Sequence, residues 1–424
     1  MIGQRTAPRP VRRPVPRPVS RPVSRPVPRA GQRPGGRPGV GAGAQGIDWV
    51  LMVAMVGLLV LGSLAVWSST SQASDSTAFL RKQLVNIAIG AVLMVMVMAT
   101  DHRWVRILAP VVYLASIVGL GLVVVAGSEV NGSKSWLQLG GMSIQPSEFA
   151  KLAVVVGMAL YAAERSEGSW RRRMGWGDVL GMLAIAGVPA VLILLQPDLG
   201  TMLVLSATVF GALAVAGISR RWLAGLFLAA VTAATLAVSV GVLKDYQIDR
   251  FMAFTNPQLD PLGAGYNTEQ ARIAIGNGGL WGQGLFEGSQ TQAKFVPEQH
   301  TDFVFTVIGE ELGLVGAGLV VLLCCVVVWR ALLVSAGTDD MFGRVAAAGI
   351  ACWFGFQAFQ NIGMCLGIMP VTGVPLPFVS YGGSSMFAGL LAVGLLQNIH
   401  LRTSTPPPSR YVMPSRPVRV LAGR

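Results

Sequence analysis

Charge is what this chain has least of. Only 12% of its 424 residues are Asp, Glu, Lys or Arg, against 52% hydrophobic, a balance that excludes a soluble globular protein and places the chain among integral membrane proteins. Acid is missing altogether from both ends: residues 1–47 carry ten Arg and residues 401–424 carry five, with no Asp or Glu in either. Without those tails the formal charge of +13 becomes −2 for residues 48–400, which argues against a basic, nucleic-acid-binding core. The basicity belongs to the tails, where it can meet anionic headgroups or set orientation in a membrane. Cysteine is scarce as well. Cys324, Cys325, Cys352 and Cys365 all lie inside apolar runs, which points to packing rather than to a disulfide framework or a thiolate metal site.

What the chain has instead is apolar runs near the length of about 20 residues that crosses a bilayer. They occur at 49–67, 83–100, 105–126, 148–163, 178–195, 199–217, 222–243, 302–330, 345–368 and 383–400. The expected fold is therefore all-α, with ten transmembrane helices in one membrane domain over residues 48–400. An Arg-rich N-terminus inside the cell puts the basic turns at Asp101–Trp104, Glu164–Met174 with Arg171 to Arg173, Ser219–Trp222 and Arg330–Arg344 inside too, with the C-terminal tail. Residues 1–47 repeat Arg-Pro-Val with a four-residue step at Arg13, Arg17, Arg21 and Arg25. Ten prolines in the first 38 residues favour an extended, disordered arm, too long to be a cleavable leader. Two outer segments exceed a turn, 127–147 and the large loop 244–301 between helices 7 and 8; within the latter, residues 268–280 suit a short interfacial helix ending at glycines.

On this topology four helix starts share the outer face: those at Glu148, Asp198 and Asp302, and the one after Ser380. Helix N-termini attract anions, and carboxylates beside them can hold a divalent cation that bridges to a phosphate, so a lipid-linked pyrophosphate suits such a mouth. Each acid also has a plainer reading, because Asp and Glu stabilise first turns and Pro146 and Pro197 suit helix starts. Lys151 sits three residues after Glu148, on the same face, and can be its ion-pair partner. Glu310 and Glu311 fall inside the 302–330 run, where pairing with other helices is the structural reading. His300 is a proton carrier or simply a polar contact. Lys134, Arg250, Arg272 and Lys294 are the outer cations available to neutralise a pyrophosphate, whereas Gly276-Asn277-Gly278-Gly279 lacks the strand and spacing of a nucleotide loop.

At these residues the chain resembles the SEDS proteins (shape, elongation, division and sporulation), the family of RodA and FtsW. The resemblance rests on QPSEFAK (145–151), QPDLGT (196–201), DPLGAGY (260–266), PEQHTDFVFTVIGEELG (297–313) and NIGMCLGIMPVTGVPLPFVSYGGSS (361–385), in order along the chain. It implies a peptidoglycan glycosyltransferase that polymerises lipid II at the outer face of the bacterial plasma membrane. It also implies partnership with a class B penicillin-binding protein and other wall-elongation proteins, the motifs looking more like the elongation type than the division type. Asp302 takes the family's catalytic Asp, and Glu148 and Lys151 its Glu and Lys. Asp302 is then the expected general base, with Asp198, Arg272, Lys294 and Ser380 in supporting or substrate-binding roles. A divalent cation, Mg or Mn, is expected at the leaving pyrophosphate, with Glu148 and Asp198 as first candidate ligands. A flippase for lipid-linked precursors and a non-enzymatic scaffold are the rival readings. Small residues Gly313, Gly316, Gly318, Gly349 and Gly355 offer a surface for the partner's single span, with internal packing an equally good use for them.

Overall fold

In a computed structural model of the chain, the described residues are 46–72, 75–130, 133–139, 142–166, 174–239, 250, 254 and 263–403. The expectations for the Arg-Pro-Val arm, the C-terminal tail, the Arg171–Arg173 turn and most of 240–262 fall outside them.

Thirteen helices are named here from the described residues: α1 (Trp49–Ser69), α2 (Ala78–Ala99), α3 (His102–Ala126), α4 (Pro146–Arg165), α5 (Trp176–Leu194), α6 (Leu199–Val215), α7 (Arg220–Ser239), α8 (Ala264–Asn277), α9 (Ser289–Gln292), α10 (Val304–Glu311), α11 (Gly313–Gly337), α12 (Met341–Cys365) and α13 (Gly383–Thr403). Seven of these, in α1 to α5, α11 and α13, are long and apolar enough to cross a membrane; α6 is apolar but shorter. Their starts follow local chemistry. Asp48, Asp198 and Asp340 accept from backbone N–H groups of the first turns of α1, α6 and α12, and Pro146 opens α4, where its missing N–H costs nothing.

α12 and α13 are buried along most of their length, while α2, α3 and α7 turn Val92, Leu108, Leu114, Phe227 and Leu228 outward, as lipid-facing helices do. Packing is close enough to require glycine. A Cβ on Gly394 of α13 would sit 2.6 Å from the Met94 carbonyl of α2, and one on Gly211 of α6 would sit 2.1 Å from Cys352 Sγ of α12. At the end opposite the Asp302 region, Arg330 pairs with Asp48 at 2.7 Å, and Asn398 donates to the carbonyls of Val97, Met98 and Thr100.

Three expectations need correction. The fold is mostly helical rather than all-α: β1 (Ser128–Val130), β2 (Ser133–Leu139) and β3 (Met142–Ile144) form an antiparallel sheet in that order, with Ser128 opposite Trp136 and Leu137 opposite Ile144. The run 302–330 is two helices, broken at Leu312. Gly313 adopts φ +64° there because backbone crosses the junction: Gln283 N donates to Glu310 O at 3.0 Å, Leu314 N donates to Gly279 O at 2.9 Å, and a Cβ on Gly313 would lie 2.3 Å from Gly282 N. Finally, Gly349 packs on Val155 and Gly355 on Val328, with would-be Cβ contacts of 3.0 and 3.5 Å, so their close approach is internal rather than a partner surface.

The segment from residue 263 onward is stapled to this junction. α8 begins four residues before the expected 268 and ends in the glycines. Glu310, fully buried, accepts from the backbone N–H groups of Gln290 and Thr291 at 2.7 and 2.9 Å and from Thr291 Oγ1 at 2.7 Å. Glu311 accepts from Ser68 on α1, and Gln299 donates to Ser69 O and Thr291 O at 3.1 and 3.0 Å.

Candidate active site

Asp302 sits on a turn, not on a helix. Glu298, at φ +51°, directs its carbonyl at the N–H groups of Thr301, Asp302 and Phe303 at 3.1, 3.1 and 3.2 Å, so one acceptor closes the turn for three donors. The N-cap of α10 is Phe303, and the Asp302 side chain makes no cap. Its own carbonyl is clamped from α12 by Asn361 Nδ2 at 2.7 Å, which also donates to Val374 O at 2.7 Å.

The loop 366–382 closes over the carboxyl. Gly373 adopts φ +69°, and a Cβ there would lie 3.3 Å from Asp302 Oδ2, so glycine keeps that side of the carboxyl free of a side chain. α12 holds the loop in place: Gln360 donates to Thr372 Oγ1 at 2.6 Å and Gln357 donates to Pro375 O at 2.8 Å. From the other side α6 presses on it, since a Cβ on Gly200 would meet Thr372 O at 2.7 Å. Burial pushes the Asp302 carboxyl up to about 7; the charges of Glu298 and Asp198 add to that, and Arg250 opposes it. His300, packed edge-on to Phe79 at 5.1 Å and lying 5.8 Å from Tyr381, is pushed down by burial, which keeps it neutral near pH 7.

The other expected residues separate by role. Asp198 does cap α6, accepting from Thr201 N at 2.9 Å and Thr201 Oγ1 at 2.7 Å, and it also accepts from Gln145 Nε2 at 3.3 Å. Glu148 and Lys151 form a buried ion pair at 2.8 Å, with side chains 2% and 0% exposed. Lys151 Nζ also donates to Gln357 Oε1 at 2.8 Å and lies 5.0 Å over the Trp353 ring. Through Gln357 and Pro375 this pair is tied to the loop over Asp302, so it supports the site without facing it. Ser380 is likewise inward: its Oγ accepts from Leu376 N at 2.7 Å and folds its own loop. Arg272 and Lys294 are exposed, Arg272 beside the Gly367 turn, and neither makes a side-chain ion pair among the described residues. Glu298, Gln357, Gln360, Asn361 and Gly373 were not singled out by the sequence reading. The signal for three of them was there, as polar residues at i, i+3 and i+4 in an otherwise apolar run.

A divalent cation does not fit the expected donors. Glu148 Oε1 is taken by Lys151, both oxygens of Asp198 are engaged by Thr201 and Gln145, and among the described residues no group of three His, Cys, Asp or Glu gathers where an ion could be held.

The cell cycle protein model that groups FtsW, RodA and SpoVE matches residues 46–405. This chain belongs to that family. It is 37% identical over 354 residues to the peptidoglycan glycosyltransferase MrdB of Escherichia coli, covering 84% of this chain and 93% of that protein. It is 36% identical over 365 residues to the stage V sporulation protein E of Bacillus subtilis, covering 83% and 96%. Among solved structures, it superposes with a TM-score of 0.70 and 32% identity on a chain of a peptidoglycan synthase complex described as coordinating polymerization and crosslinking, covering 84% and 98%. The rod shape determining protein RodA of Thermus thermophilus gives 0.61 and 31%, covering 84% and 96%. The matched span takes in Asp302, the turn that carries it and the loop that closes over it.

Proposed function

We infer that this chain is a peptidoglycan glycosyltransferase that joins lipid II units into glycan strands. The observation that carries the reading to residues is Asp302: one carboxyl, free of a side chain on its Gly373 side, with proton affinity raised to near neutrality by its surroundings. In polymerisation the 4-hydroxyl of an acceptor GlcNAc attacks the anomeric carbon of a donor MurNAc, in line and with inversion. Asp302 takes the hydroxyl proton as the new C–O bond forms and undecaprenyl pyrophosphate leaves with the bonding pair. Positive charge at the leaving group comes from Arg250, Arg272 and Lys294 and from the N-terminal ends of α4 and α6. No step is routed through a metal, because among the described residues the expected donors do not make a fitting set.

Ten spans complete the membrane domain if α6, α7 and α12 cross with the seven helices that are both long and apolar enough to do so. Asp302 then faces outward and both tails face the cytoplasm, which the basic turns support. The elongation-type motifs favour a RodA-like role over an FtsW-like one. The synthase complex above supports a class B penicillin-binding protein as partner, beside other wall-elongation proteins. Purified chain incubated with lipid II, alone and with that partner, tests the reading: polymer is expected, and its absence in both, with the protein folded, would return the flippase and scaffold readings.

A further inference from the structure

Glu298 is the one residue that both shapes and charges the turn carrying Asp302. Its backbone lies at φ +51°, a conformation that an L side chain rarely adopts, and its carbonyl is the shared acceptor of three successive N–H groups, Asp302's among them. The exposed carboxylate is not loose: Thr301 Oγ1 donates to Glu298 Oε2 at 2.9 Å, holding it over the turn it closes. A solvated surface Glu needs neither the strained backbone nor the tether. Strain of this kind persists only where its surroundings over-determine it.

We propose that Glu298 is a positioning residue for Asp302: its backbone closes the turn that carries Asp302, and its tethered carboxylate holds a negative charge over that turn. This rests on Asp302 being the base. The other ionisable groups around Asp302 are Asp198 at the start of α6, Arg250, neighbouring His300, and Cys365 of α12, whose Sγ lies 4.0 Å from the Asp302 carbonyl. Asp198 is held by its cap and Arg250 acts in the opposite sense, so Glu298 is the acid whose charge can be removed without breaking a helix start. The shifted proton affinity of Asp302 agrees, with the Glu298 charge as its largest contributor after burial.

Two variants test the two halves separately. Glu298→Gln keeps the shape and an oxygen for Thr301 while removing the charge; Glu298→Gly suits the positive φ and removes the side chain. Rates of lipid II polymerisation by the full chain are measured from pH 5 to 9, beside thermal unfolding. For both variants the acid limb should move down by about one pH unit, so the rate at pH 6 rises about fivefold relative to each variant's own plateau. The plateau kcat should fall several-fold with KM unchanged, because a weaker base drives proton transfer less. Glu298→Gly should unfold at the same temperature as the natural chain or higher. An unmoved acid limb in a folded, active Glu298→Gln variant would overturn the electrostatic half, and a markedly destabilised Glu298→Gly would overturn the backbone half. Absence of any acid limb in the natural chain is a different failure, since it removes Asp302 as the base and this inference with it.

Discussion

Replacing Lys151 by Met should unfold the domain's centre more than any surface change could. Lys151 is fully buried and gives its Nζ to Glu148 Oε1 and Gln357 Oε1, each at 2.8 Å, while Glu148 Oε2 has no hydrogen-bond partner among the described residues. Lys151→Met therefore leaves a buried carboxylate with nothing to answer it. Breaking a buried pair from one side costs about 3–5 kcal/mol, whereas removing both charges together is often close to neutral. Gln357 would keep Trp353 Nε1 at 2.6 Å and Pro375 O at 2.8 Å, so the loop over Asp302 should shift rather than detach. A shift approaching 1 Å can cost about 10²-fold in rate. The assay is thermal unfolding in one detergent, with lipid II polymerisation measured well below the transition. Lys151→Met should lose stability and activity together, and the double variant Glu148→Gln with Lys151→Met should recover most of both, because both side chains are buried and their charges answer each other. A double variant that regains stability but remains inactive would refute this, since Lys151 would then act on the reaction itself.

Three other outcomes follow from the same geometry. Polymerisation should rise with pH through about 7, because Asp302 must lose its proton to act; a rate flat between pH 5 and 8 in a folded enzyme would contradict the assignment. Gly373→Ala should lower kcat by tenfold or more with a smaller change in KM, since its Cβ would lie 3.3 Å from Asp302 Oδ2 at φ +69°, and unaltered kinetics would show that the carboxyl is approached from elsewhere. For orientation, a membrane-impermeant thiol reagent on intact cells should label a cysteine placed at Trp281 and not one placed at Arg172; the reverse pattern would turn the domain over.

Much of this molecule was legible in its sequence because a bilayer leaves few options. Apolar runs of spanning length became helices close to where they were expected, and a carboxylate among such runs marked Asp302 as a site residue. Less legible was whatever depends on contacts between distant segments. Nothing local in GEELGLVG signals a break, since the cause is backbone from 279–284 crossing at Leu312. SKSWLQL alternates too briefly between glycines to announce β2. Asp198 and Asp302 look alike as acids at helix starts, yet only Asp198 caps, and the difference lies in the Glu298 turn. The inward hydroxyl of Ser380 was hidden for the same reason, because orientation around a loop needs the partners that three-dimensional packing supplies, whereas the Glu148–Lys151 ion pair was legible in its three-residue spacing.

Asp302→Asn separates a base for lipid II polymerisation from a residue that only shapes its turn. Asn fills the same space under Gly373, and the Asn361 clamp on the backbone carbonyl remains, so the turn is retained. Because the folded-state affinity of Asp302 lies above the ordinary 3.8, the folded chain holds that proton from about pH 4 to 7, and the charge lowers stability as pH rises through this window. Removing it should leave the protein as stable as before or more so at pH 8. Purified Asp302→Asn, given lipid II beside a thermal-unfolding control, should lose at least about 10²-fold in polymerisation rate while unfolding no earlier than the natural chain. Near-normal polymer from a well-folded variant would contradict the role of Asp302 as the base.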